Sequence, residues 1–273
     1  MSSCTSNTSN VLTATTTVTR DDPFYIMNHD KQGFAYIFSH DRFSISPQRS
    51  AADVDENKLK YLLINMGFDV RLFKNLKVSE IQYHINEVRQ MDHTDNNCFL
   101  LFVLSHGDEN KIEALDDTYD PSEMFWNQFT ADKCPSLAGK PKLFFLQCCQ
   151  GNKLDSGIQL IYRQQRTETD GRVTPYTIPN YSDFCIMYAT AKGHFAFRND
   201  KGGSHFIKYL CEELEKHAYC EHLLTILTFV IRRVAVEFQS RSKQSDRDKK
   251  KQIPYFESSL TRLVQFKDMK KGE

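Results

Sequence analysis

Short continuous apolar runs alternate along the chain with longer stretches in which apolar positions recur every three or four residues. Phe34–Phe38 (FAYIF) reads as a buried strand, and Leu59, Leu62, Leu63 and Met66 follow at helical spacing behind Asp53, which is expected to cap that helix. Phe68–Phe73 predicts a second strand, and Ser79 is expected to open a helix with Ile81, Ile85, Val88 and Met91 on one side. Cys98–Leu104 (CFLLFVL) has no polar interruption, the pattern of a strand covered on both faces. A short helix is expected near Ser122–Phe129, then a strand at Lys142–Gln147 (KLFFLQ). Residues 150–181 break the alternation with a polar, proline-bearing insert, a length that in a compact domain marks a functional segment or a linker. Order resumes with a strand at Phe184–Tyr188, helices over Gly203–His217 and Glu221–Phe238, a very polar loop, and a final strand near Pro254–Phe266. This succession predicts an α/β fold: a mostly parallel sheet with helices on both faces. Residues 1–22, rich in Ser and Thr at their start, read as a flexible tail because they offer no apolar face to offset the entropy of ordering.

Composition narrows the function classes. Lys plus Arg number 35 and Asp plus Glu 35, so the chain lacks the basic excess of a general nucleic-acid or anionic-membrane binder. No apolar run approaches a membrane span, and the N-terminus has neither the charged start nor the apolar core of a secretory signal. The eight cysteines form no C-x-x-C pair, and several lie inside apolar runs, which points to reduced thiols and a cytoplasmic setting. His217, Cys220 and His222 fit no tetrahedral zinc spacing and no glycine-rich phosphate loop precedes a helix, so neither metal nor cofactor is expected. The basic run Arg241–Lys251 is interrupted by Asp246 and Asp248 and reads as a solvated loop.

Open parallel sheets gather ligands beyond the carboxyl ends of their strands. Two strands here end in reactive residues: CFLLFVL runs into Ser105-His106-Gly107, and KLFFLQ into Cys148-Cys149-Gln150-Gly151. If the two strands are neighbours, their ends lie roughly 5 Å apart, placing an imidazole and a thiol on one edge. A histidine beside a cysteine can take the thiol proton, leave a nucleophile for acyl transfer, and then protonate a leaving amine. The N–H groups of Gly107 and Cys149 could form an oxyanion hole.

Gln147-Cys148-Cys149-Gln150-Gly151, with His106 lying 43 positions before Cys149, resembles the caspase pentapeptide. Five further segments match that family in order: Arg49–Asp55, Leu104–Glu109, Gly139–Phe144, Arg198-Asn199 with Gly203–Ile207, and Lys251–Pro254. The resemblance implies a caspase-like, mostly parallel six-stranded sheet, with Cys149 as nucleophile, His106 as proton-transfer partner and Gly107 in the oxyanion hole. It implies that Arg49, Gln147 and Arg198 surround a pocket demanding aspartate, with Ala196 and Phe197 beside it on the substrate-binding loop. Arginine's planar fork suits such a carboxylate. The polar insert holds Thr167-Glu168-Thr169-Asp170-Gly171, which resembles a maturation site. Cutting after Asp170 would divide one domain into a larger piece, 23–170, and a smaller piece, 171–273. The implied activity is an endopeptidase of a cell-death cascade acting on protein substrates after aspartate, made as a precursor and dimerising through its last strand with itself or another caspase. Departures from the family pattern are Cys148 for alanine, Ala196-Phe197 for Ser-Trp, and His205 for a tryptophan. These leave open a regulatory reading, in which altered subsites permit little turnover and the chain acts by pairing with an active caspase.

Overall fold

The computed structural model describes residues 21–108, 110–151, 153–155, 179–199, 202–242 and 244–269. Nearly all of the expected tail, the centre of the polar insert and Asp170 lie outside the described residues. Six strands form the central sheet: β1 Phe34–Ser39, β2 Asp69–Lys74, β3 Phe99–Leu104, β4 Lys142–Gln147, β5 Phe184–Tyr188 and β6 Tyr255–Ser258. Their order is β6-β5-β4-β3-β1-β2, parallel throughout except where β6 joins β5. The helices are α1 Ala52–Asn65, α2 Val78–Gln90, α3 Pro121–Met124, α4 His205–His217 and α5 Leu223–Glu237.

Both faces of the sheet are covered, as the unbroken apolar strands require. Along β3 the side chains alternate: Leu100, Phe102 and Leu104 pack with residues of α1, α4 and α5, while Phe99, Leu101 and Val103 pack with those of α2 and α3. No helix among the described residues is long and apolar enough to cross a membrane.

Several boundaries differ from the sequence expectation by a few residues, and four of the differences have a visible cause. Asp53 does not cap α1: the N-cap is Ala51 at φ 53, and Asp53 sits in the first turn, where a carboxylate complements the helix dipole. Ser79 likewise lies inside α2, whose N-cap is Lys77, and Glu80 accepts the Lys77 N–H at 2.7 Å. The last strand stops at Ser258 because hydroxyls draw the chain out of the ladder: the Ser258 Oγ takes the Leu260 N–H at 3.2 Å, and Thr261 bonds Asp183 at 2.7 Å. Finally, α4 begins at His205, because Gly203 and Ser204 pair antiparallel with Asn199 and Arg198.

Candidate active site

Strands β3 and β4 are neighbours, with Leu104 opposite Gln147 and the Ser105 N–H donating to the Gln147 carbonyl at 3.2 Å. The two reactive strand ends therefore meet on one edge. Beyond β3 the chain enters a small antiparallel ribbon formed by Gly107–Asp108, Lys111–Glu113 and Thr118–Tyr119. The Glu113 N–H bonds the His106 carbonyl at 3.0 Å, so Gly107, opposite Ile112, occupies a non-hydrogen-bonded position and its N–H faces out of the ladder. A Cβ at Gly107 would lie 2.7 Å from the Cys149 carbonyl oxygen and 3.1 Å from the Cys148 Cβ. Only glycine lets the histidine loop touch the Cys149 backbone this closely.

The His106 Nε2 lies 3.0 Å from the Pro47 carbonyl oxygen. A carbonyl only accepts, so Nε2 carries the hydrogen and Nδ1 keeps the lone pair that can take a proton. The ring rests 4.7 Å from that of Phe43. Burial pushes the His106 pKa below the ordinary imidazole value, with the Arg198 charge adding to the shift and the Pro47 bond opposing it.

The Cys149 sulfur accepts the Ala196 N–H at 3.4 Å and lies 3.7 Å from the Ala196 carbonyl oxygen. Burial raises the thiol pKa, against the pull of the Ala196 amide and the charges of Arg198 and Arg49. Both shifts favour the uncharged forms, a thiol and a neutral imidazole, of two groups that line the same cleft. The neighbouring Cys148 points to the other sheet face, buried among apolar side chains of the α2 side, and burial pushes its thiol up to about 12. Among the described cysteines none is in a disulfide.

Past Cys149 the backbone zips onto residues 193–195. The Gln150 N–H donates to the His194 carbonyl at 3.0 Å, the Gly193 N–H to Gln150 at 2.7 Å, and the Phe195 N–H to Lys153 at 3.1 Å. Gly151 adopts φ 141, and a Cβ there would lie 2.5 Å from the Gly193 carbonyl oxygen. The buried Gln252 amide then accepts the Phe197 N–H at 2.7 Å and donates to Ala189 at 2.6 Å, fixing the segment that carries Ala196, Phe197 and Arg198.

Beneath this segment, Arg49 and Gln147 are 1% and 3% exposed. The Arg49 Nη2 lies 3.5 Å from an Asp55 carboxylate oxygen; its Nη1 and the Gln147 Oε1 are buried without a protein partner. Asp55 accepts the Ser204 N–H at 2.8 Å, an approach open only because Gly203 has φ 74 and no Cβ, which would stand 2.3 Å from that carboxylate. Burial, reinforced by the nearby Arg198 charge, brings the Arg49 pKa down to about 10. Two cations are held together with one buried carboxylate between Arg49 and α1, an arrangement that a second carboxylate would relieve.

A cleft of about 390 Å³ unites these groups: His106, Gln147, Cys149, Phe195, Ala196, Phe197 and Arg198 line it, with Arg49 below. The polar loop, expected to be merely solvated, contributes Ser240, Arg241 and Arg247 to the same wall. His205 lies outside the cleft lining, its ring 4.8 Å from Phe238, which in turn lies 5.3 Å from Phe197. Asp55, Gln252 and the Pro47 carbonyl were not singled out by sequence reasoning, because each acts through a contact between segments distant in the chain.

A thiol, an imidazole and an anion-seeking pocket at the ends of adjacent parallel strands define a cysteine hydrolase. Comparison with known proteins agrees: residues 32–265 match the family model of the caspase domain. The chain is 46% identical over 253 residues to Caspase-1 of Spodoptera frugiperda, covering 91% of this chain and 83% of that protein. It is 37% identical over 245 residues to Caspase-3 of Bos taurus, covering 89% and 87% respectively. The crystal structure of Caspase-1 from Spodoptera frugiperda superposes with a TM-score of 0.85 at 42% identity, covering 92% of this chain and 98% of that one. The chain belongs to the caspase family and is a cysteine endopeptidase of the caspase type.

Proposed function

We propose that this protein cleaves polypeptides after aspartate, with Cys149 as nucleophile and His106 as the acid and base. The substrate aspartate pairs with Arg49 and Arg198 beside the Gln147 amide, which brings its carbonyl carbon over the Cys149 sulfur. The thiol proton passes to the His106 Nδ1, the sulfur bonds the carbonyl carbon, and the developing oxyanion receives the N–H groups of Gly107 and Cys149. The imidazolium then protonates the departing amine. Water, deprotonated by His106, cleaves the thioester and restores the thiol. The observation that carries this reading is the pocket under Cys149, where the Arg49 Nη1, a donor, is buried without a protein partner. A neutral side chain in the substrate would leave the buried Arg49 Nη1 without a carboxylate to answer it.

The same reading places maturation after Asp170 and activity in the cytoplasm as part of programmed cell death. Dimerisation would run through β6, which closes one edge of the sheet. The altered substrate loop does not argue for an inactive partner, since the Ala196 backbone still contacts the sulfur and Phe197 still walls the cleft. Protein cut in its linker should hydrolyse a reporter peptide ending in aspartate and ignore its asparagine counterpart. Mass spectrometry of the two pieces should place the boundary at Asp170; equal turnover of both reporters would remove the proposal.

The acid limb of activity follows from the histidine. The base must be neutral, and burial depresses the His106 pKa, so falling pH protonates it later than an ordinary imidazole. The acid limb of kcat/KM is expected below about pH 6.5, the unperturbed histidine value. A limb centred above pH 7 would show that a different group, or a charged resting pair, governs the step.

A further inference from the structure

The loop between α5 and β6 does more than cover the cleft. It is built on one buried serine: the Ser240 Oγ donates to the Arg247 carbonyl at 2.7 Å and accepts the Lys250 N–H at 2.7 Å, while the Ser240 carbonyl accepts the Lys249 N–H at 2.9 Å. Its Asp248 turns inward onto the Ser242 N–H at 3.0 Å. The folded loop sets Arg241 and Arg247 on the cleft wall, and the Arg247 guanidinium lies over the Phe195 ring at 5.3 Å from its centroid. Among the described residues no carboxylate forms an ion pair with either arginine.

The alternation of the neighbouring segment tells which substrate position meets this pair. The Phe195 and Phe197 rings lie together, 6.4 Å apart, while the Ala196 backbone meets the Cys149 sulfur and Arg198 adjoins the carboxylate pocket with Arg49. A peptide laid along this segment sends successive side chains to opposite sides. With the aspartate turned toward Arg49 and Arg198, the adjacent residue turns toward Phe195, Phe197 and Arg247. That residue precedes the aspartate, because the departing amine must lie beside His106, against the wall formed by Phe43 and Pro47.

We infer that Arg247, with Arg241 beside it, makes this cleft select an acidic residue immediately before the aspartate. The inference rests on the proposed function and adds a second charge to the substrate class. A guanidinium stacked flat on a ring keeps its N–H edges for a carboxylate. The pair is solvent-facing, so its effect is moderate and sensitive to salt.

The test uses two reporter peptides that end in aspartate and differ only in the residue before it, glutamate or glutamine. With the mature protein, kcat/KM should favour glutamate by roughly five- to tenfold at low ionic strength, as for a charge-assisted contact at a partly exposed site, and the preference should shrink as salt rises. Arg247→Gln should bring the ratio close to one, and thermal melting checks that the variant folds. A ratio near one in the unaltered protein, or a preference that survives Arg247→Gln combined with Arg241→Gln, overturns the inference while leaving cleavage after aspartate intact. Cleavage of neither peptide is a different result: it removes the proposed function and this inference with it.

Discussion

Cys149→Ala should lower kcat/KM on the aspartyl reporter by about 10⁴-fold or more, the scale on which removing a covalent nucleophile acts. No neighbouring group can substitute. Cys148, one residue earlier, is 5% exposed on the opposite side of the strand, and its thiol is pushed up to about 12. Cys149, the more exposed of the two at the cleft, meets the Ala196 amide and the charges of Arg198 and Arg49, which oppose the rise that burial imposes on its thiol. Loss of one sulfur atom from a partly buried position should leave thermal stability within about 1 kcal/mol. Kinetics, a melting curve and peptide mapping after alkylation check these points together. The label should fall on Cys149 and spare Cys148 in the folded protein. Residual turnover above about one per cent of the unaltered rate would mean that the thiol is not the nucleophile, since such residues act as an all-or-none unit.

The vicinal cysteines illustrate what a sequence reveals and what it withholds. Continuous apolar runs made β3 and β4 legible, and period-two alternation then separates the two thiols onto opposite faces, so one enters the core and the other the cleft. Adjacent strand ends likewise made His106, Gly107 and Cys149 readable as one site. Helix starts were less legible: Asp53 and Ser79 both carry capping side chains, yet Ala51 and Lys77 occupy the caps, because tertiary contacts set where each helix begins. The polar loop is exposed as expected, and its place beside the cleft was hidden for a related reason. Its composition signals solvation, and only the folding of the chain around Ser240 brings Arg241 and Arg247 onto the cleft wall. Gln252 lies in a segment that matches the family, yet nothing local assigned it a role, since its value lies in joining Phe197 to Ala189 across the site.

Arg49→Met should produce the second large effect, and it should do so twice over. Arg49 is 1% exposed and its ion pair with Asp55 is sealed from water. Removing the cation leaves Asp55 buried with only the Ser204 amide and hydroxyl and more distant charges to hold it, a change expected to destabilise the fold by about 3–5 kcal/mol. It also removes one of the two guanidinium groups proposed to grip the substrate carboxylate, so kcat/KM should fall about a hundredfold or more. A stability loss alone could mimic the kinetic one, and the double variant Arg49→Met with Asp55→Asn separates them. Asparagine keeps the oxygen that accepts the Ser204 N–H and drops the uncompensated charge, so most of the lost stability should return. Activity should not return, because no substitution restores the missing guanidinium. Denaturant melts of both variants, paired with reporter kinetics, decide the matter. Recovery of turnover in the double variant would show that Arg49 serves only to neutralise Asp55, and that Arg198 reads the aspartate without it.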